Sequence, residues 1–207
     1  MIRDHFEQEG ICMDERIKKQ LEFSLEIDKE KDIFRQTHLH GYERCENDAE
    51  HAWHMAIMAY LLKEYANEEV DIAKVMIMCL IHDIVEIDAG DTYAYDNEGL
   101  ATQKEREDKA KERIYSLLPD DQKEEMIALF DEFEECKTPE ARFAKAMDNL
   151  QPLMLNDSNG GKDWVLHQVK SSQVYKRQEK TKLGSDKIFE VVDELIKKNI
   201  KEGHIKA

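Results

Sequence analysis

Proline and glycine are scarce in this chain of 207 residues, which contains only 3 prolines and 8 glycines. Because these two residues bend or terminate regular structure, their scarcity leaves room for long uninterrupted helices. Apolar residues recur at helical spacing along much of the chain. We therefore expect an all-α fold in the form of a compact helical bundle.

Basic residues are outnumbered by acidic ones, with 30 Lys and Arg against 46 Asp and Glu and a net charge of −16. Such a surface repels nucleic acid polymers and anionic membranes. No apolar run reaches the roughly 18–20 residues that span a bilayer, and the segment MIRDHFEQEG lacks an apolar signal core. We expect neither export nor membrane insertion, whereas a small anionic substrate fits if a buried metal reverses the local field.

Cysteine is also sparse, with Cys12, Cys45, Cys79 and Cys136 as the four examples and no CxxC pair among them. Cys79 lies in an apolar run and is best interpreted as a small core residue. This usage predicts a reducing, cytoplasmic compartment and argues against a zinc site built from thiolates.

The periodic segments predict a series of helices at about 13–32, 47–65, 71–87, 100–118, 121–135, 139–156, 163–180 and 185–201. Asn47 followed by Glu50 has the spacing of a capping box at the start of the second helix. The segment before it, RQTHLHGYERCEN, is predicted to be irregular. No linker divides the chain, so we expect a single domain over residues 1–207.

The second and third predicted helices carry most of the expected core. Trp53, Ala56, Ile57, Tyr60 and Leu61 share one face of the second helix, which is predicted to be the central, core-facing surface. The third helix is apolar on nearly every side, and we expect it to be deeply buried.

His82 and Asp83 are adjacent within the apolar run VMIMCLIHDIVEI, so both are expected to be buried. A buried carboxylate is costly unless a cation or hydrogen-bond donors meet it. His51 in AEHAWH and Asp148 in AKAMDNLQPLML lie in two other apolar helical stretches. Two imidazoles and two carboxylates form a ligand set suited to a divalent metal (Mn, Co, Zn, Fe or Mg). The alternative is a buried His–Asp hydrogen bond without metal.

Two further carboxylates follow the His–Asp pair. Glu86 lies three residues after Asp83 and four after His82, so it shares their helix face. Asp91 follows in EIDAGD. Carboxylates beside a metal act as general acids or bases. The alternatives are a residue that ends the helix and a turn aspartate beside Gly90.

Three basic side chains are candidates for substrate binding. Arg35 and Arg44 flank the segment leading to His51, and guanidinium matches phosphate bidentately. The alternative is a pair of solvated surface arginines. His54, one turn after His51, is either a substrate or supporting group or a core histidine.

The motifs ENDAEHAWH, HDIVEIDAGD and AKAMDNLQP, in that order, resemble the HD-domain superfamily of metal-dependent phosphohydrolases, and more closely its 5′-deoxynucleotidase-like branch. The resemblance covers about residues 30–170. It implies a compact helical HD domain with the C-terminal helices packed on it, and a homodimer. The ligands that it implies are His51, His82, Asp83 and Asp148, with Glu86 and Asp91 as catalytic helpers and Arg35 near the phosphate. The chain reads RQTHLHGYER where members of that branch usually carry an Arg-Trp step.

The function implied by this resemblance is hydrolysis of nucleoside 5′-monophosphates to nucleoside and phosphate. No histidine lies between Asp83 and Asp148, where two-metal members of the superfamily typically add ligands, so we expect one divalent metal per chain. Three alternatives stay open: hydrolysis of another small phosphoester or diphosphate, oxidative chemistry at a redox metal, and a non-catalytic nucleotide-binding module.

Overall fold

The structure, a computed structural model, describes residues 14–207, without the side chains of residues 97 and 98. Its α-helices are α1 (Glu15–Glu26), α2 (Asp48–Leu62), α3 (Ile72–Ile81), α4 (Glu86–Ala89), α5 (Asn97–Tyr115), α6 (Asp120–Glu135), α7 (Pro139–Ser158), α8 (Lys162–Leu166), α9 (Ser171–Gly184) and α10 (Asp186–Lys201). Turns of 3-10 helix at Ile27–Asp32 and Lys63–Tyr65 extend α1 and α2. The two strands are β1 (Phe34–His38) and β2 (Cys45–Asn47). The expected all-α helical fold is thus confirmed.

Helix α7 is the centre of the core. It begins at Thr138, whose hydroxyl accepts a hydrogen bond from the backbone of Ala141 at 3.3 Å, with proline at the first helical position. Helices α2, α3, α9 and α10 all pack against it. Phe143 and Met147 are completely buried there. Residues on α7 are therefore held rigidly among the helices that carry the motifs.

The segment predicted to be irregular forms an antiparallel hairpin instead. Phe34 pairs with Asn47 and His38 with Cys45 across β1 and β2. The strand alternates in exposure, with Arg35 and Thr37 buried and Phe34 exposed. Because the inward residues are polar, the apolar alternation that normally marks a strand is absent. The hairpin directs Arg35 into the protein.

The predicted helix over 71–87 is interrupted at the His–Asp pair. Helix α3 ends at Ile81, and α4 begins at Glu86. The connecting turn is closed by a hydrogen bond of 2.8 Å from the Glu86 backbone N–H to the Asp83 carbonyl. His82 keeps helical backbone angles, with φ −65° and ψ −32°, and its Nε2 lies 3.0 Å from Oδ2 of Asp83. The predicted helix over 163–180 is likewise divided, into α8 and α9.

The outer face of α2 contradicts the predicted orientation of that helix. Trp53, Ile57, Tyr60 and Leu61 are exposed by 62%, 41%, 52% and 65%; we call these four residues the α2 outer face. The buried side contains smaller residues and methionines. Apolar residues occupy nearly all sides of this helix, so periodicity could not identify the inward one. Helix α3 also exposes Ile77 and Leu80, by 42% and 38%. Every helix within residues 14–207 is too short or too polar to span a bilayer.

Candidate metal centre and cleft

The four predicted ligands meet in the interior. His51 lies in the first turn of α2, His82 and Asp83 in the turn after α3, and Asp148 in the middle of α7. Nε2 of His51 is 3.4 Å from Oδ1 of Asp148 and 4.0 Å from Oδ2 of Asp83. Nε2 of His82 is 3.0 Å from Oδ2 of Asp83 and 3.9 Å from Oδ1 of Asp148. We call these four residues the His/Asp cluster.

Both imidazoles of the His/Asp cluster are held by their Nδ1 atoms. Nδ1 of His51 donates to Oε1 of Gln151 at 2.8 Å, and Nδ1 of His82 donates to the carbonyl of Cys79 at 2.9 Å. Since both acceptors lack a proton, each ring carries its hydrogen on Nδ1 and its lone pair on Nε2 when neutral. Neither Nε2 has a hydrogen-bond partner of good geometry. Two buried lone pairs thus point toward two carboxylates, an arrangement that fits a divalent metal.

Gln151, which accepts the hydrogen bond from His51, is itself held by Glu46. It is completely buried, and its Nε2 donates to Oε2 of Glu46 at 2.8 Å. This bond orients the amide so that its oxygen faces His51. Glu46, Gln151 and His51 therefore form a chain that fixes the imidazole from behind.

A group of carboxylates surrounds Arg35 on the other side of Asp83. Nη1 of Arg35 lies 2.7 Å from Oδ2 of Asp83 and 3.5 Å from Oδ1 of Asp48, and its Nε lies 3.5 Å from Oε1 of Glu46. Asp48, Asp83 and Glu86 have oxygens within 4.8 Å of one another. We call Glu46, Asp48 and Glu86, grouped around Arg35, the carboxylate cluster. Asp83 is the residue that links it to the His/Asp cluster.

Protonation is favoured throughout the carboxylate cluster. Burial, reinforced by the charge of Asp83, raises the pKa of Asp48 to about 8. Burial also raises the pKa of Glu46 to about 7, although Arg35 opposes the shift. The pKa of Glu86 is raised well above its usual value by burial and by the charges of Asp83 and Asp48. These groups can hold protons near neutral pH.

The His/Asp cluster behaves in the opposite way. Burial would raise the pKa of Asp83, but the charges of His82 and Arg35 hold it well below its usual value. Burial would raise the pKa of Asp148, but the nearby His51 and the charges of Lys145 and Arg177 hold it well below its usual value. Burial and Arg35 lower the pKa of His51 to about 4. Burial alone would lower the pKa of His82, yet Asp83 raises it. Both carboxylates of the cluster stay ionised.

A cleft borders both clusters. Arg35 and Arg177 both line the cleft, and each lies beside a carboxylate of the His/Asp cluster. Arg35 contacts Asp83, and Nη2 of Arg177 lies 3.7 Å from Oδ1 of Asp148. The polar and aromatic residues that line it are Arg35, Gln36, Thr37, Asp91, Thr92, Tyr93, Tyr95, Asn149, Asn156, Asp163, Trp164, Arg177 and Gln178. Nδ2 of Asn149 and Oδ1 of Asn156 are buried without a hydrogen-bond partner. The cleft offers charge, aromatic surface and free amide groups to a small molecule.

Asp91, predicted from the sequence to be a catalytic carboxylate, lies in the wall of the cleft. Gly90 ends α4 with a positive φ of 74°, a conformation that favours glycine and turns the chain toward the cleft. Asp91 follows directly and lines the cleft. Burial raises its pKa, although the positive charge of Arg35 opposes the shift.

Two predicted substrate-binding residues lie away from the His/Asp cluster. Arg44 is exposed and forms a bidentate pair with Glu50, at 2.8 and 2.5 Å. His54 is half-buried, and its Nδ1 lies 3.1 Å from Nε2 of Gln151. Burial lowers the pKa of His54. His54 therefore lies beside Gln151, the residue that holds His51, whereas Arg44 contacts only the first turn of α2 in these pairs.

Several residues of the site were not predicted from the sequence. Asp48 precedes His51 by three residues, and Gln151 follows Asp148 by three, so helical spacing could have indicated both. Glu46 lies in a strand that the sequence did not predict. Arg177 has no local signal, because α9 joins the site only through its packing on α7.

Comparisons with known proteins identify relatives of the chain. It matches the family described as HD domain over residues 27–189. It is 30% identical over 112 residues to the human protein named 5′-deoxynucleotidase HDDC2, a match that covers 54% of this chain and 53% of that protein. A Dictyostelium discoideum protein of the same name is 32% identical over 120 residues, which cover 56% of this chain and 63% of that protein. The chain thus spans about half the length of the human relative.

A solved structure is similar over nearly the whole chain. A crystal structure described as a predicted metal-dependent phosphohydrolase from Magnetospirillum magnetotacticum MS-1 superposes with a TM-score of 0.89 and 46% identity. The match covers 93% of this chain and 96% of that one.

Proposed function

Because the chain belongs to the HD-domain family, we propose that it is a metal-dependent phosphohydrolase that converts nucleoside 5′-monophosphates to nucleosides and inorganic phosphate. The observation that carries the proposal is the pair of free Nε2 atoms, which face Asp83 and Asp148 beside the cleft. The relatives named 5′-deoxynucleotidase support a nucleotide substrate.

The proposed ligands are His51, His82, Asp83 and Asp148, and a divalent metal bound by them supplies Lewis-acid polarisation of the phosphoryl group. Their mixed nitrogen and oxygen donors admit Mn, Co, Zn, Fe or Mg. We propose one ion per chain. Arg35 supports this number, because its guanidinium lies 2.7 Å from Asp83 and 3.5 Å from both Asp48 and Glu46, where its positive charge takes the place of a second cation.

Glu86 is the proposed proton-transfer group. Its Oε2 is buried and unpartnered, and its pKa is raised by burial and by Asp83. In its ionised form, a carboxylate with a raised pKa is a stronger base than an ordinary glutamate, so it can take a proton from the attacking water. The water oxygen then forms the new bond to phosphorus as the bond to the 5′ oxygen breaks.

The leaving 5′ oxygen needs a proton, and Asp91 is the proposed partner on that side. Asp91 lines the cleft and has a pKa raised chiefly by burial, so it can deliver a proton or hold a sugar hydroxyl. Arg35 is proposed to offset phosphate charge from its place against Asp83. The aromatic and amide residues farther along the cleft would then contact the nucleoside.

The test is a hydrolysis panel on purified protein of known metal content. Phosphate release is measured with nucleoside mono-, di- and triphosphates, cyclic nucleotides and p-nitrophenyl phosphate, in ribose and deoxyribose forms. We expect the monophosphates to be the fastest substrates. Faster cleavage of diphosphates, triphosphates or cyclic nucleotides would overturn the substrate class. Nucleotide binding without turnover, with every metal tried, would favour a binding module.

We also propose a homodimer that associates through the α2 outer face. Its four residues are spaced as i, i+4, i+7 and i+8, so they form one apolar stripe of a kind that is usually covered by a partner. Trp53→Lys is expected to shift the protein to a monomer in sedimentation velocity. Val191→Lys is the matched control, since Val191 is 52% exposed on a different helix. A Trp53→Lys protein that sediments like the wild type would exclude this surface.

Finally, we propose a reducing, cytoplasmic location. Within residues 14–207, Cys45, Cys79 and Cys136 are all free thiols. Mass spectrometry of the denatured protein, isolated with alkylation at lysis, should find all three cysteines alkylated and therefore reduced at lysis. A disulfide recovered under those conditions would contradict the proposal.

A further inference from the structure

The substrate phosphate must enter a strongly acidic region, and the structure indicates which cation meets it. Asp48, Asp83, Glu86, Asp91 and Asp148 all lie in or beside the two clusters. An approaching phosphate adds further negative charge, so binding requires a cation with donors that are not already used. We propose that Arg177 of α9 is the principal phosphate-binding residue, an inference that rests on the proposed function.

Arg177 has the position and the free donors that this role requires. Its side chain is 25% exposed and lines the cleft together with Asp91 and Tyr93. Among the side chains that the structure describes, its guanidinium forms one ion pair, with Asp148 at 3.7 Å. That distance is too long for a hydrogen bond, so the planar fork of N–H groups is available to phosphate.

The other positively charged side chains of the region, Arg35 and Lys145, already bind acidic side chains. Arg35 is 9% exposed and is held by Asp83 at 2.7 Å, with Asp48 and Glu46 each at 3.5 Å. Nζ of Lys145 donates to Glu134 at 2.9 Å. A phosphate competing for Arg35 would have to displace Asp83 and leave a buried carboxylate without its partner, which is costly.

The position of Arg177 also agrees with the expected direction of the substrate. Asp148 is a proposed metal ligand, so a phosphate that reaches the metal from the cleft passes the guanidinium of Arg177. Tyr93 and Tyr95 line the same cleft, and the positive charge of Arg177 opposes the burial that raises the pKa of each phenol. The nucleoside would therefore extend over these rings while its phosphate stays on Arg177.

A structural role for Arg177 predicts different behaviour. If it only orients Asp148, its loss lowers metal affinity and kcat, while KM and phosphate affinity stay the same. If it binds phosphate, its loss raises KM and the Kd of inorganic phosphate, while the metal content stays the same. The two roles can therefore be separated by measurements that do not depend on the rate alone.

The experiment compares Arg177→Gln and Arg177→Lys with the wild type, all loaded with the same metal. Arg16→Gln is the matched control, because it removes an exposed arginine that pairs with Asp121 on the surface. Calorimetry measures the Kd of inorganic phosphate, elemental analysis measures metal content, and steady-state kinetics measure KM. Circular dichroism confirms that each variant is folded.

We expect Arg177→Gln to raise both the phosphate Kd and KM about 10- to 100-fold, the usual scale for hydrogen bonds to a charged group. Arg177→Lys should restore part of the affinity, since lysine keeps the charge but lacks the planar fork. Metal content and inhibition by the nucleoside product should stay at wild-type values.

A phosphate Kd within twofold of the wild type in Arg177→Gln would overturn the inference, as would a loss of metal with KM unchanged. A wild-type protein that binds no phosphate would overturn it as well. If Arg177→Gln does not fold, an Arg177→Lys protein with the full wild-type phosphate affinity would argue against the bidentate contact. Failure of the proposed function is distinct, because a wild type that binds phosphate but hydrolyses no monophosphate still allows the Kd comparison.

Discussion

The two clusters on either side of Asp83 use polar side chains in opposite ways. In the His/Asp cluster, Nδ1 of each imidazole is held by a neutral acceptor, so Nε2 points to two ionised carboxylates. In the carboxylate cluster, three acidic groups crowd one arginine, and burial raises the pKa of each. The first arrangement is suited to hold a cation, and the second is suited to exchange protons. The difference predicts that mutations will separate metal binding from turnover.

The largest expected effect comes from removing His82. His82→Ala should lose both the metal and all hydrolysis, because one of the two free imidazole nitrogens disappears. Since bound metal stabilises the folded state, the variant should also have a lower Tm in metal-replete buffer. Elemental analysis and thermal melts with and without chelator check this. A variant that keeps a stoichiometric metal would show that His82 is not a ligand.

Glu86→Gln tests the carboxylate cluster alone. It preserves size and leaves the four proposed ligands in place, but an amide cannot accept the proton of the attacking water. We expect near-normal metal content and a loss of about 10²–10⁴-fold in kcat, the usual scale for general acid–base catalysis. Turnover within a few-fold of the wild type would remove Glu86 from the mechanism and erase the contrast between the clusters.

Gln151→Met tests whether metal binding by the His/Asp cluster depends on the hydrogen bond from His51 to Gln151. The change keeps the volume but removes the acceptor for His51, and we expect metal affinity to fall about 10- to 100-fold. Gln178→Met is the matched control, because Gln178 is also buried and donates to the carbonyl of Asn149 at 2.8 Å. Both changes should lower stability by about 1–3 kcal/mol. Competition with a metal-sensitive dye should find weaker metal binding in Gln151→Met only; equal affinities would show that the amide does not orient His51.

The smallest effect on stability and on KM is expected from replacing Arg44, which lies on the surface away from the His/Asp cluster. Its pair with Glu50 is exposed, so Arg44→Ala should leave the free energy of unfolding almost unchanged. KM should stay within a few-fold of the wild type, as measured by initial rates. A large rise in KM would mean that substrate reaches beyond the cleft to the start of α2.

Local signals were sufficient for much of this protein. The helix over Pro139–Ser158 was predicted from its threonine cap, its proline and its periodicity, all of which lie within a few residues of one another. The capping box at Asn47 and Glu50 is present as predicted. The motif residues His51, His82, Asp83 and Asp148 do meet, because polar groups inside apolar helical stretches must find partners in the interior.

Other features depend on contacts that no local pattern contains. The hairpin that buries Arg35 was missed because its inward side chains are polar and bind carboxylates far along the chain. The α2 outer face was placed inward because a helix that is apolar on most sides gives no preferred direction. The orientation of that helix is decided by α3 and α7, which pack against its other side.

By itself, the sequence determined the helical class, most helix positions and the residues able to bind a metal, since periodicity, caps and side-chain chemistry are local properties. Tertiary structure alone decided the end of α3 before the His–Asp pair, the amide behind His51 and the position of Arg177 beside Asp148. His51 and Gln151 are 100 residues apart in the chain. Contacts across such separations follow from how the helices pack against one another, because packing selects one arrangement from the many that the same local signals allow.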